Sequence, residues 1–527
     1  MVSGDNAPNY GHIALVVDIA HKILKQFSRF SKDRQDVTMN AFDELMRFAR
    51  ETAALQQVYS RLSWDMQTFM PAGAANQRAE EFAAMEAILH SRKTYPRVGE
   101  WMDKSEPTDE EGAAKLRLIH REYNRKTKVP MELSIAIARQ ASLSRQYWLQ
   151  AREESDFSVF APALKNIVSL KLEEASAVAG DGDPYDVMVD DHEQGMTSDR
   201  LAVMFDEMRP RLVALREATL NCDVPPCLEG DFDEQKQIML AHELAELFGY
   251  DLDRGRIDLA VHPFSCGSGA DVRITTRTAN DDPLNCIYST LHETGHACYE
   301  QAVNEDYFLS PLGMGASMGV HESQSRIYEN QLGRSRAFCH FLYGRLRDLF
   351  GEIGVSDEDE FYAAVNRVNK GCIRTEADEV QYNLHIMLRF DLERSVFSGD
   401  LDINDIEEAW NDRFAADFGF EVDVPTNGIL QDIHWAFGEF GYFPTYTLGN
   451  IYAGCLYKSL GSDIPNLNDQ LANGNPEEAT RWLKDRVHVL GRLNEPNEIV
   501  SGACGFEPST GPLLDYIEEK FHALYDI

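Results

Sequence analysis

Apolar residues recur at three- and four-residue steps along most of this chain, the period of a helix with one buried face. The first such stripe is Ile13, Val16, Val17, Ala20, Ile23, Leu24, Phe27 and Phe30. Its polar face is not especially basic, which favours a packing face over a membrane anchor. Long helical patterns continue over 41–60, 74–92, 109–127, 131–153, 159–179, 198–219 and 233–248. They break where Gly and Pro gather, at Gly180-Asp181-Gly182-Asp183-Pro184, at Pro225-Pro226 and around 462–465. The texture changes between 257 and 278. Residues 257–261 and 272–276 alternate or carry β-branched side chains, and the stretch 265–270 between them is turn-rich, so a small antiparallel sheet is predicted there. The fold class expected is mainly α: a large helical body with this small sheet beside the helix that follows it.

That next helix carries the chemistry. Leu291-His292-Glu293-Thr294-Gly295-His296-Ala297 contains H-E-x-x-H, which places two imidazoles four residues apart on one side of a helix with a carboxylate next to them. With 15 histidines and 87 acids in 527 residues, about 0.07 chance occurrences are expected, so coincidence is a poor explanation. His292 and His296 are predicted to hold one metal ion, with Glu293 beside its open position. A third ligand must lie downstream. Tyr299 and Ala302 stand where a further Gly and His would be needed, which excludes the three-histidine class. The carboxylate candidates are Glu300, Glu305, Asp306, Glu322 and Glu329. Glu300, one turn beyond His296, suits a supporting role better than ligation. Glu322 is favoured, because Ser310-Pro311-Leu312-Gly313-Met314-Gly315 breaks the chain and lets a second helix, starting near Ser317, return beside the first.

Charge and cysteine usage narrow the setting. A formal charge of −37 excludes a phosphate-backbone binder, since that affinity comes from Lys and Arg, and disfavours an anionic membrane surface. Nine dispersed cysteines without a C-x-x-C pair point to free thiols in a reducing compartment. The apolar run 13–17 is cut by Asp18, so neither a signal peptide nor a membrane span is expected, and the cytoplasm is the predicted location.

Several further motifs carry a resemblance. His321-Glu322-Ser323-Gln324-Ser325-Arg326, Asp271-Val272-Arg273-Ile274-Thr275, Ile373-Arg374-Thr375-Glu376-Ala377-Asp378 and Gly428-Ile429-Leu430-Gln431-Asp432-Ile433-His434-Trp435 closely resemble the carboxypeptidase Taq family of metallocarboxypeptidases. The likeness runs from Ser63-Trp64-Asp65 to about Tyr525, and only residues 1–40 read as an N-terminal extension, helical in pattern, ahead of a catalytic domain over 41–527. The resemblance implies a helical, saddle-like body with a deep active-site groove, commonly a homodimer, binding one divalent metal per chain: Zn²⁺ first, with Co²⁺ or Mn²⁺ as alternatives. It implies His292, His296 and Glu322 as ligands and Glu293 as the catalytic carboxylate. Arg374 matches the position credited with binding the substrate's terminal carboxylate, and a guanidinium fork suits that task. The alternative for Arg374 is a structural ion pair with Glu376 or Asp378.

The oxyanion needs a donor besides the metal. Gly441-Tyr442-Phe443-Pro444-Thr445-Tyr446 supplies two phenols close in sequence to His434, with Tyr446 favoured over Tyr442. His262 and His434 are candidate groove-lining donors, and Arg273 is a second candidate cation. The expected activity is release of C-terminal amino acids from peptides. An oligopeptidase on the same site is the runner-up, and an inactive binding protein the third reading.

Overall fold

The structure, a computed structural model, describes residues 40–527. The apolar stripe from Ile13 to Phe30, and with it the expected extension, lies outside the described residues. Helices dominate, and each of the seven patterns from 41 to 248 corresponds to one: Ala41–Thr68, Ala75–Lys93, Glu110–Thr127, Met131–Glu154, Ala161–Ala179, Ser198–Leu220 and Glu234–Leu247. Asp183, in the Gly/Pro-rich break, caps a further short helix, Pro184–His192, by accepting from the Tyr185 amide at 2.8 Å.

One continuous apolar core runs from Trp148 to Phe521. The first helices stand apart from it, gathered round a small cluster of Leu45, Val98 and Trp101. The functional helices therefore belong to the large core, where neighbours on every side restrict their movement.

The sheet corrects one expectation. It has three strands in the order β1-β3-β2, with β1 at Gly255–Leu259, β2 at Ser265–Ser268 and β3 at Asp271–Thr276. β1 and β3, expected to pair antiparallel, pair parallel, with Ile257 opposite Ile274. The antiparallel partner of β3 is β2, which lies in the stretch read as a turn. Ser265-Cys266-Gly267-Ser268 lacks the β-branched signal of a strand. It pairs because Gly269-Ala270 forms a tight hairpin, with Gly269 at φ +67°. The chain thus reverses once before β3, which restores the direction of β1. Val272 and Ile274 are fully buried. Thr276 holds the sheet to the next helix by donating to the Cys286 carbonyl at 3.2 Å.

Candidate metal centre

The motif helix spans Pro283–Ala302, with Pro283 at its first position and the Asp282 side chain accepting from the Leu284 amide at 2.9 Å. The predicted return helix is Met318–Arg326, capped by Ser317, whose hydroxyl accepts from the Val320 amide at 3.1 Å. Two glycines let its neighbours come close. A Cβ on Gly295 would lie 2.4 Å from the Gln324 carbonyl oxygen, and one on Gly449, in helix Pro444–Asp463, would lie 2.6 Å from the Glu322 side chain. Any larger residue would push Glu322 away from the histidines.

His292, His296 and Glu322 each offer a ligand atom within 4.8 Å of the others. Their facing atoms are His292 Nε2, His296 Nε2 and Glu322 Oε2, with nitrogen-to-oxygen distances of 3.9 and 3.6 Å. Tetrahedral bonds of ordinary zinc length would separate two ligand atoms by roughly 3.4 Å, so the donor set fits a small divalent ion with little movement.

The opposite ring nitrogens are engaged by the protein. His292 Nδ1 lies 2.9 Å from Glu329 Oε2. His296 Nδ1 lies 2.6 Å from His321 Nδ1, and His321 Nε2 lies 3.0 Å from Glu300 Oε1. Holding Nδ1 in this way fixes each ring and leaves Nε2 available to a metal. Glu300 thus reaches His296 through His321. Glu329 is reached because the return helix passes directly into a π-helical segment, Ile327–Gly333. Arg326 Nε donates to Glu322 Oε1 at 2.7 Å, turning Oε2 toward the histidines. Arg326 and Arg334 both reach Glu329 at 3.2 Å.

Electrostatics follow from burial and these partners. Burial pushes the Glu293 carboxyl up to about 7. It would hold His292 low, but Glu322 and Glu329 outweigh it and raise that ring. His296 falls well below its ordinary value through burial and the neighbouring His321 and His292.

A second cluster adjoins this one. Arg374 is buried and donates through Nη2 to Asp432 Oδ1 at 2.7 Å and through Nη1 to the Tyr382 hydroxyl at 3.1 Å. Its ion-pair partner is neither Glu376 nor Asp378. Asp378 instead accepts from the Val380 and Gln381 amides at the start of helix Tyr382–Ser398. Asp432 is shared with Arg389, whose Nε donates to Oδ2 at 2.8 Å. Burial alone would raise Asp432, but the two guanidiniums hold it well below the usual carboxylate range. The guanidinium carbon of Arg374 lies 5.2 Å from the centre of the Tyr446 ring. That ring meets Tyr442 edge-on at 5.3 Å. Both phenols feel the Glu322 charge, and burial raises both, Tyr442 to about 12. His434 stacks on Tyr442 at 5.5 Å, is lowered to about 4 by burial, and leaves Nδ1 without a hydrogen-bond partner.

Two sequence candidates have other surroundings. Arg273 is paired with Asp271 at 2.8 Å and lies over Trp64, on the side of the sheet facing the first helix. His262 is exposed in the link between β1 and β2. His321, Arg326 and Asp432 were not picked out by sequence reasoning. Their signal was adjacency, since each lies in a motif with a chosen residue or beside one.

Two imidazoles and a carboxylate gathered on paired helices, with a buried acid between them, are the arrangement of a metal-dependent peptide hydrolase. Its relatives specify which one. The family described as carboxypeptidase Taq (M32) metallopeptidase matches residues 44–521, and the chain belongs to that family of metallocarboxypeptidases. It is 37% identical over 504 residues to thermostable carboxypeptidase 1 of Thermus thermophilus, covering 92% of this chain and 99% of that one. Carboxypeptidase 1 of Bacillus subtilis is 32% identical, covering 92% and 98%. The crystal structure of the M32 carboxypeptidase from Deinococcus radiodurans superposes with a TM-score of 0.89 at 35% identity, over 92% of this chain and all of that one. Among the described residues no helix is long and apolar enough to cross a membrane.

Proposed function

We propose that the chain removes single amino acids from the C-termini of peptides, with Glu293 as general base and Arg374 as receptor for the terminal carboxylate. The observation that carries this reading is the pairing of two clusters: a triad whose free Nε2 and Oε2 atoms converge, and beside it two guanidiniums facing a single acid.

His292, His296 and Glu322 would hold a divalent ion, which would supply Lewis acidity toward the scissile carbonyl and the attacking water. Zn²⁺ suits two imidazoles and a carboxylate, and Co²⁺ or Mn²⁺ suit them too. Glu293 takes the proton from the water and returns it to the departing amine, so the bond to the last residue breaks and a shortened free acid is left. The Tyr446 hydroxyl donates to the carbonyl oxygen as negative charge develops there, with Tyr442 as its neighbour and alternative. His434 packs behind Tyr442 and keeps that ring in place. Arg374 receives the substrate's carboxylate, and Asp432 keeps its fork in position. The same reading has the chain acting in the cytoplasm as a homodimer, a state that light scattering on the purified protein would check.

The test is mass spectrometry of a peptide digest over time, with and without a chelator. A ladder shortened one residue at a time from the C-terminus, and abolished by the chelator, is the expected result. Internal fragments would move the assignment to an oligopeptidase.

A further inference from the structure

Glu193 follows helix Pro184–His192 and is 1% exposed. Among the described residues it has no cationic partner within ion-pair distance, an expensive situation for a buried carboxyl group. What it has is hydrogen bonds. Oε2 accepts from the Gly319 amide at 2.9 Å and Oε1 from the Tyr452 hydroxyl at 3.1 Å. Gly319 lies in the first turn of the return helix Met318–Arg326, where unpaired amides and the helix dipole favour an anion. The fit is close, since a Cβ on Gly319 would lie 2.6 Å from Glu193 Oε2. Tyr452 belongs to helix Pro444–Asp463, which also carries Tyr446 and presses Gly449 against the Glu322 side chain. One carboxyl group thus ties together two helices whose relative position sets where Glu322 stands.

We propose that Glu193 is a positioning residue for the metal centre: by fixing the start of the return helix against helix Pro444–Asp463, it holds Glu322 at the distance from His292 and His296 that a metal ion requires. This rests on the reading of those three residues as ligands. It differs from a general stabilising role because it makes metal affinity, not merely folding, depend on a side chain remote in sequence from every ligand. Glutamine keeps an acceptor for the Gly319 amide, and the Tyr452 hydroxyl can accept from its NH₂ group, so Glu193→Gln should rescue most of what Glu193→Ala loses.

The experiment titrates Zn²⁺ into the folded apoprotein against a chromophoric chelator for the wild type, Glu193→Ala, Glu193→Gln, Tyr452→Phe and Glu322→Ala. Glu193→Ala is expected to weaken Zn²⁺ binding about 10- to 100-fold, as loss of support behind a ligand does elsewhere. Glu193→Gln should stay within about 5-fold of the wild type, and Tyr452→Phe should weaken binding about 3- to 10-fold. At saturating metal, kcat should fall while KM for a peptide stays within about 2-fold. A lower melting temperature with unchanged Zn²⁺ affinity in Glu193→Ala would overturn the proposal. If Glu193→Ala does not fold, unchanged affinity in Tyr452→Phe overturns it instead. Should the wild type bind no Zn²⁺, or Glu322→Ala bind as tightly as the wild type, the ligand assignment has failed and this inference falls with it. Binding by the wild type, loss in Glu322→Ala and no change in Glu193→Ala and Tyr452→Phe would sink the inference alone.

Discussion

The two halves of the site balance their charges in different ways. Around the triad, Glu322 and Glu329 face Arg326 and Arg334, two acids against two guanidiniums, with the imidazoles and the buried Glu293 beside them. Around Asp432 one acid faces two guanidiniums, Arg374 and Arg389. The ion pairs of the first half cancel one another, so a divalent ion held there would keep much of its charge for polarising a carbonyl. The second carries one uncompensated positive charge, and an anion is what would complete it. On the proposed reading, a peptide that ends in a carboxylate would meet both requirements at once, and the middle of a chain would not.

The sharpest way to break the first half is Glu293→Gln. It removes the proton acceptor and no ligand, so turnover should fall on the order of 10³-fold or more with metal retained. Turnover close to wild type, with full metal content, would rule out the base assignment. Glu322→Ala should come next, emptying the site on dialysis, whereas Glu300→Ala reaches the histidines through His321 and should keep its metal. Metal analysis in which Glu300→Ala is the empty protein would reverse the two roles.

A smaller effect concerns the frame that holds the second half. Glu393 is buried and accepts from the Trp435 indole at 2.6 Å, the Gly441 amide at 2.8 Å and the Tyr185 hydroxyl at 2.9 Å. Burial pushes it from 4.5 up to about 7. A raised acid contributes stability that is present below about 4.5 and lost as the pH rises through 7. Thermal unfolding of the wild type and Glu393→Gln should therefore show the wild type's advantage shrinking between pH 5 and pH 8. An advantage that grows with pH would contradict the assigned direction.

The two halves also differed in how far the sequence revealed them. The triad lay within local spacing: H-E-x-x-H sets two candidate ligands by helical period, and the Pro/Gly break before Ser317 announces the returning helix. Even Glu329 stood among the carboxylate candidates, although the π-helical turn that brings it to His292 Nδ1 has no period to read. The receptor half depends on long-range pairing. Asp432 is 58 residues from Arg374, and the nearer acids Glu376 and Asp378 looked like equal partners until the fold gave Asp378 to a helix start. The sheet failed for a related reason: Ser265–Ser268 pairs because of the turn that follows it, not because its own residues favour a strand. Arg273 was drawn in by its motif alone, and Asp271 beside it already satisfies its charge.

The central claim, that Arg374 makes this metal site a carboxypeptidase, is tested most directly by kcat/KM for a free-acid peptide and its C-terminal amide, in the wild type and in Arg374→Ala, with metal content measured in both. A charge-assisted contact of about 1.5–3 kcal/mol predicts that the mutant loses roughly 10- to 150-fold on the free acid and little on the amide, so that the wild type's strong preference for the acid nearly disappears. Equal cleavage of acid and amide by the wild type, or an undiminished preference for the acid in Arg374→Ala at full metal content, would contradict it.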